Sequence, residues 1–225
     1  MKTKILWLFC LTSLITLSLH LNPALASRDV ALVLKVKGNA RLKSPRRNWS
    51  LLRRGKRLQG GDKVRTGEES LVAIVFTDDK SMMKIHSESE VSIKGERTKK
   101  GIRKRIFMNI GQLWARINPK GGGFRVETPS GVAAVKGTEF YLFRDATGQM
   151  TVIGIRGLVE LFNDLGKVMV GKGQTGILKK GIKPRLEKTV KVNDWAKEGS
   201  DENEMQIEFE NKDGVKKSLK IHYKE

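Results

Sequence analysis

The sequence predicts an all-β protein of short antiparallel strands, arranged as a sandwich or a solenoid-like coil, with a β-hairpin extension at the C-terminus. Apolar and polar residues alternate in short bursts, and neither of the two best-patterned segments, 58–86 and 124–143, carries a helical stripe. Turn residues interrupt the bursts about every 8–12 residues. The 23 glycines stand mostly between bursts, which favours strands over helices.

The first half of the chain opens with a predicted strand at 30–37 that ends at Gly38. Residues 71–76 (LVAIVF) form a continuous apolar run that ends at Asp78-Asp79, which is typical of a buried strand. We interpret 95–104 as a charged hairpin loop, and Gly111 as a break between two strands. The strands predicted here are 30–37, 39–43, 71–76, 82–85, 91–93, 106–110 and 113–117.

The second half follows a predicted flexible break at 119–123 (PKGGG). Turn signals separate its strands, and Lys136-Gly137 and Arg156-Gly157 each place a basic–glycine pair ahead of a strand. This echo is compatible with stacked β-coils. The strands predicted here are 124–127, 132–135, 139–143, 150–155, 158–162, 167–170 and 175–178.

The C-terminal part, 181–225, changes character. We interpret 182–192 as a linker, 192–198 as a short helical turn, and 205–210 with 215–224 as a hairpin around Lys212-Asp213-Gly214. An isolated hairpin is marginally stable in water. The hairpin is therefore expected to dock on the body, to extend its sheet, or to pair with a partner.

The N-terminus has the layout of a secretory signal peptide over residues 1–26. Lys2 and Lys4 precede an apolar run, and Ala24 and Ala26 frame a cleavage site after Pro23. The alternative is an uncleaved anchor, since the run is close to the roughly 20 residues needed to span a bilayer. Cleavage is favoured, and it predicts a periplasmic or secreted protein whose domain begins at residue 27.

Charge and cysteine content narrow the function class. The net charge of +20 falls to +18 on cleavage, because residues 1–26 hold two lysines and no acid. Such a charge attracts polyanions, and an exported protein rarely meets nucleic acid, so we expect an acidic protein or an envelope polymer as partner. Cys10 is the only cysteine and leaves with the signal peptide, which excludes disulfide and thiol chemistry in the mature chain.

Basic clusters are the best candidates for binding residues. Arginine beside an exposed aromatic ring suits stacking on sugars and bidentate capture of phosphate. The alternative, that Trp49 is core and the arginines are solvated loop charges, is favoured because loops ordinarily carry charge. Further basic runs lie at 99–105 and 179–185. The possible polyanion-binding residues are Arg46, Arg47, Trp49, Arg53, Arg54, Lys56 and Arg57.

Catalytic chemistry has little support in the sequence, and we expect neither enzyme activity nor a cofactor. After cleavage only His86 and His222 remain, too few for a zinc site without cysteine. His86 is interpreted as a surface histidine. Asp78-Asp79 can bind a cation, although such a pair at a β-turn is ordinary turn chemistry.

Two segments resemble the FecR-type periplasmic β domain. Residues 60–67 (GGDKVRTG) and the following strand are similar to its first half, and 124–140 (FRVETPSGVAAVKGTEF) to its f-x-V-x-T-P-x-G-x₅-G-T-x-F motif. Residues 153–160 and 171–176 resemble its closing strand pair and its G-x-G-q turn, so the resemblance spans about 30–180. It implies an all-β domain on the periplasmic side of the membrane.

In iron-uptake regulators this domain relays the occupancy of a transporter to a cytoplasmic anti-sigma segment. Only residues 1–4 precede the apolar run here, so we expect no such segment. We therefore expect a non-enzymatic binding or scaffold module at the cell envelope. The alternative is an accessory in iron-uptake-like transmembrane signalling, and a cell-wall hydrolase is a third possibility that would need a carboxylate-lined cleft.

Overall fold

The computed structural model describes residues 29–192, 204–210 and 216–222, and every regular element in them is a β-strand. The predicted signal peptide and all but the first residue of the predicted helical turn lie outside these ranges. The strands are β1 (Asp29–Lys37), β2 (Ala40–Lys43), β3 (Ser50–Leu51), β4 (Arg57–Gln59), β5 (Asp62–Thr66), β6 (Leu71–Phe76), β7 (Met82–Ile85), β8 (Glu90–Thr98), β9 (Gly101–Arg116), β10 (Phe124–Thr128), β11 (Gly131–Val135), β12 (Glu139–Arg144), β13 (Met150–Arg156), β14 (Val159–Asn163), β15 (Gly166–Val170), β16 (Gln174–Leu178), β17 (Arg185–Val192), β18 (Glu204–Glu210) and β19 (Lys216–His222). In the described ranges no helix is long and apolar enough to cross a membrane.

The strands form two sheets that share β9. Sheet 1 runs β4-β1-β6-β7-β9-β12-β13-β16-β17-β18-β19. Sheet 2 runs β3-β2-β5-β8-β9-β10-β11-β14-β15. The ladders are antiparallel except that β9 and β10 run parallel. The prediction of an all-β fold is confirmed.

One hydrophobic core lies between the two sheets and takes side chains from both. Phe124 of sheet 2 packs edge-on between Phe76 and Phe140 of sheet 1, with ring centroids 6.0 and 6.3 Å apart. Aromatic pairs prefer this geometry. In the middle of sheet 1 the opposite face is buried too, since Tyr141 and Ile153 are at most 1% exposed. This explains why the central strands read as continuous apolar runs rather than alternating ones.

Strand β9 is a single strand of 16 residues, where the sequence predicted two strands split by Gly111. Its first half pairs with β8 in sheet 2, and its second half pairs with β12 in sheet 1. Gly111 lies where the strand passes from one sheet to the other, with φ of +120°. A Cβ there would overlap Ser89 of the neighbouring chain segment. The glycine therefore marks a transfer between sheets and not an interruption of the strand.

The predicted hairpin loop at 95–104 is also mostly strand. Strand β8 continues to Thr98 and β9 starts at Gly101, so Lys99 and Lys100 alone form the turn. Charged side chains on the outer face of a sheet alternate along the strand with the apolar side chains of the inner face. A strand with many such charged residues therefore resembles a loop in the sequence. This correction brings two lysines to the tip of a long hairpin.

The two basic–glycine pairs are stacked corners of the fold. Gly137 (φ +73°) lies where the chain leaves sheet 2 for β12, and Gly157 (φ +77°) where it returns from sheet 1 to β14. A Cβ on Gly157 would lie 2.7 Å from the Gly137 carbonyl oxygen. The Thr138 hydroxyl donates to the Leu158 carbonyl at 3.0 Å. The echo in the sequence therefore reflects two corners in direct contact.

The C-terminal segment extends sheet 1. Residues 182–192 are not a plain linker, because β17 occupies 185–192 and pairs with β16. Beyond it β18 pairs with β17, and β18 and β19 form the predicted antiparallel hairpin. Of the arrangements left open for the hairpin, the structure shows the sheet extension.

Candidate functional site

The predicted basic segment lies along one edge of both sheets. Arg46 and Arg47 are in the turn between β2 and β3, at the edge of sheet 2. Arg53, Arg54 and Lys56 are in the connection to β4, at the edge of sheet 1. All five are exposed. The segment thus crosses from one sheet edge to the other and distributes its charges along that edge.

The aromatic ring in this segment is already occupied by a residue that the sequence reasoning missed. Trp49 is half-buried, and the guanidinium of Arg65 lies 4.5 Å from its ring centroid. Arg65 comes from β5 and also donates to Glu90 on β8, its cross-strand partner. Only the strand register reveals this contact. One face of Trp49 is therefore covered by the protein's own arginine.

Neighbouring residues divide between core and surface. Leu52 is buried, whereas its neighbour Leu51 is 59% exposed. Arg57 pairs with Asp29 at 3.1 Å. The segment therefore supplies surface cations, and one face of its aromatic ring is taken by Arg65.

A concave basic site lies instead on the outer face of sheet 2. It is a groove of about 660 Å³ over β10 and β11. Its floor is low, because the residues there have small side chains or none, namely Val132, Ala134, Gly122 and Gly123. We call it the basic groove. Its exposed cations come from the β8–β9 hairpin, from β10 and from the residue after β11, namely Lys99, Lys100, Arg103, Arg125 and Lys136.

Three of these cations have no carboxylate partner among the described residues: Lys99, Lys100 and Lys136. Arg103 pairs with Glu96 at 3.1 Å, an exposed pair that screens it only partly. The groove's own acid, Glu160, is bonded to Lys167 at 3.0 Å. The lining is therefore cationic overall, and it suits an anionic ligand.

The carboxylate of Glu127, beside the groove, forms its main ion pair with Arg105. The guanidinium donates to both carboxylate oxygens, at 2.8 and 3.0 Å. This hydrogen bonding holds the pKa of Glu127 below its usual value. Arg125 is farther from that carboxylate, at 3.8 Å. Arg125 therefore remains largely available to a ligand, while Glu127 stays ionised.

A buried ion cluster supports the groove from below. The Lys104 ammonium is 1% exposed and donates to Asp78 at 2.9 Å and to Asp79 at 2.7 Å. Burial alone would raise the pKa of Asp78, but Lys104 and the Ile102 N–H hold it below its ordinary value. The aspartate pair thus does bind a cation, and the cation is the protein's own lysine.

The glycine run at 119–123 is packed against this cluster, whereas the sequence suggested a flexible break. A Cβ on Gly121 would overlap the Asp79 carboxylate, and one on Gly122 would lie 2.8 Å from the Ile102 backbone. The Lys104 N–H donates to the Gly123 carbonyl at 3.0 Å. The glycines therefore let the connection lie flat beside the groove floor.

His86 is buried, contrary to the expectation of a surface histidine. It is 5% exposed and follows β7 directly. Burial, aided by the charge of Lys37, lowers its pKa to about 4. Within the described ranges no group of three His, Cys, Asp or Glu side chains is arranged to hold a metal ion.

The TPSG motif closes the hairpin between β10 and β11. Pro129 and Ser130 form its turn, where a fixed φ and a missing N–H suit proline. The Thr128 hydroxyl accepts from the Ser130 N–H at 3.2 Å and donates to the Gly131 carbonyl at 3.1 Å. Gly131 packs against the Phe162 carbonyl, which a side chain would block. Turn geometry therefore accounts for each residue of the motif.

Comparisons with known proteins give one family match and two similar solved structures. The sequence model of the family described as FecR protein matches residues 62–160. A search of curated proteins found no significant match. Two crystal structures of a candidate anti-sigma factor from Parabacteroides distasonis ATCC 8503, at 1.65 and 2.50 Å resolution, are similar, each with a TM-score of 0.49 and 14% identity. Each match covers 56% of this chain and 59% of the other.

The FecR match runs from β5 to β14, and so includes the buried ion cluster, the shared strand and the basic groove. It contains 124–140 and 153–160 and all but the first two residues of 60–67, while 171–176 lies beyond it. Residues 62–160 of this chain are similar to the FecR family, as the resemblance of their sequence motifs also indicates.

Proposed function

We propose that this protein is a non-enzymatic binding module at the cell envelope that holds an anionic partner, either an acidic protein or an envelope polymer, in the basic groove. The observation that carries the proposal is the set of unpaired cations around a concave floor: Lys99, Lys100 and Lys136. Lys99 and Lys100 lie in a two-residue turn between paired strands, and Lys136 directly follows β11, so the paired strands limit the spacing between the charges.

The overall charge supports the same function. A net charge of +20 raises the local concentration of anions around the protein and speeds their encounter with it. The predicted signal peptide supports an envelope location, where anionic polymers and lipid headgroups are abundant. The edge segment 46–57 contributes to this field through its exposed cations.

A second function is an accessory role in transmembrane signalling of the iron-uptake kind, in which the partner is a receptor or transducer. The FecR match over residues 62–160 favours it, because the resemblance to that domain implies a part in such signalling. The two functions differ in what holds the partner. Binding through the groove depends on charge, whereas a protein interface formed by sheet edges depends on backbone pairing and apolar contacts.

The test is retention of the purified protein on envelope fractions: peptidoglycan sacculi, outer-membrane vesicles and soluble extract. Binding is measured at about 0.1 M and about 1 M salt, where the Debye length is roughly 10 and 3 Å. The variant Lys99→Gln/Lys100→Gln removes two charges from one turn. Arg46→Gln/Arg47→Gln removes two charges from another exposed turn and is the matched control.

We expect salt-sensitive retention that falls about tenfold or more in the lysine variant, since each such charge contributes about 1 kcal/mol near an anionic surface. The arginine control is expected to change retention by less than twofold. Equal losses in the two variants would show that only net charge matters, and would remove the groove from the proposal. Salt-resistant recovery of one defined protein would favour the signalling role instead.

A further inference from the structure

A second hollow adjoins the basic groove on the same face of sheet 2. It has a volume of about 470 Å³ and lies beside the TPSG turn. Val132 of β11 and Phe162 of β14 line both hollows. The two hollows therefore meet at Val132 and Phe162, and we call the pair, which follows β11 with the basic groove at one end, the trough.

The two ends of the trough differ in chemistry. The basic end carries the five cations, while the far end exposes Pro129 and Leu165, the latter 53% exposed. Asp164 and Lys180 also line the far end, with charges of opposite sign. A ligand that matches this trough has its negative charge at one end and an apolar portion at the other.

The length of the trough follows from β11. Its five residues, at about 3.4 Å per residue, extend roughly 17 Å. One leaflet of a bilayer has a hydrocarbon thickness of about 15 Å, half of the 30 Å core. A single hydrocarbon chain therefore has the right length for the distance from the basic end to Leu165.

The backbone of this face argues against an extended peptide as the ligand. Strand β10 is paired on both sides, with β9 and β11, and β11 is paired with β10 and β14. The strands under the trough thus have no free edge to which a peptide could add a strand. Peptides that bind sheets gain affinity mainly from such main-chain hydrogen bonds. A hydrocarbon chain needs none.

We propose that the trough binds a single-chain phosphorylated amphiphile, with its phosphate among Lys99, Lys100 and Lys136 and its apolar chain directed over Val132 and Phe162 toward Leu165. This rests on the proposed function, because it uses the same basic groove, and it adds the chemical class of the ligand. Lysine is a common phosphate partner that acts as a point charge.

The experiment measures binding of dodecyl phosphate below its micelle concentration by calorimetry. Dodecyl maltoside, which has the same chain without charge, and inorganic phosphate, which has the charge without the chain, are the comparison ligands. Leu165→Ser replaces the exposed apolar side chain at the far end of the trough with a small polar one. Leu158→Ser is the matched control, because Leu158 is 55% exposed and lines neither hollow.

Dodecyl phosphate is expected to bind at least tenfold more tightly than either comparison ligand. Leu165→Ser is expected to weaken it about fivefold, since a partly buried leucine loses part of its transfer free energy. Leu158→Ser is expected to change nothing, and Lys99→Gln/Lys100→Gln to weaken dodecyl phosphate about tenfold or more.

The two proposals fail in different ways. If Leu165→Ser leaves dodecyl phosphate binding unchanged, the amphiphile is overturned, while retention of envelope polymers in the groove stands. If a glutamate-rich peptide binds more tightly than dodecyl phosphate, an acidic peptide is the ligand class and the amphiphile is again overturned. If Lys99→Gln/Lys100→Gln affects neither ligand nor polymer, both proposals fail together.

Discussion

Removing the Lys104 ammonium should destabilise the fold more than removing any surface cation. Lys104 is 1% exposed, and its partners Asp78 and Asp79 have side chains only 9% and 5% exposed. Lys104→Met keeps the apolar stem but leaves two carboxylates buried and uncompensated. Breaking a buried ion pair in this way costs about 3–5 kcal/mol. We therefore expect the free energy of unfolding to fall by that amount, measured by urea denaturation.

The control lies one residue away on the same strand. Arg103→Met breaks the exposed pair with Glu96 and should cost about 0.2–1 kcal/mol. Adding Asp78→Asn and Asp79→Asn to Lys104→Met should recover part of the loss, because the buried negative charges are gone. If Lys104→Met costs less than 1 kcal/mol, or if the triple variant is no more stable than the single one, the cluster is not a compensated buried ion set.

Two further predictions concern pH and the shared strand. His86 has a pKa of about 4 in the fold against 6.5 when unfolded, so the unfolded state binds its proton first as pH falls. The free energy of unfolding should decrease by about 3 kcal/mol between pH 7 and pH 4. In His86→Gln this decrease should be smaller, as measured by urea titrations at several pH values. Gly111→Ala should cost more than 2 kcal/mol by thermal unfolding, because a Cβ there overlaps Ser89. The control Gly173→Ala, at φ of +72° with open space around it, should cost only about 1 kcal/mol. If the two variants lose the same free energy of unfolding, Ser89 moves aside at Gly111 and the overlap does not destabilise the fold.

The sequence predicts the strands well where clear turn residues bound an apolar run. Strand β6 at 71–76 is found with the predicted bounds, because its apolar run ends at an aspartate turn. The pattern fails at β9, where Gly111 reads as a break although the hydrogen-bonded ladder continues into the other sheet. It also fails at 95–104, where outward-facing charged residues interrupt the apolar pattern of β8 and β9. Sheet membership and register depend on tertiary pairing, which a local pattern does not contain.

The sequence predicts the candidate site less well than it predicts the fold. The sequence shows that the run at 99–105 is basic, but Lys104 points inward to Asp78 and Asp79 while Arg103 and Arg105 point outward. Strand alternation explains this split once the segment is known to be a strand. The groove also needs Arg125 and Lys136, which pairing brings beside the hairpin from distant positions in the chain.

The sharing of β9 between the sheets has a consequence for how the domain opens. A sandwich whose sheets are separate can lose one sheet while the other persists. Here the amides of β9 are enclosed by β8 and β10 at one end and by β7 and β12 at the other. Their exchange with deuterium should therefore require global unfolding, so that both sheets report a single opening free energy. A protease cut in the Lys99–Lys100 turn would leave the two fragments held together by the same strand.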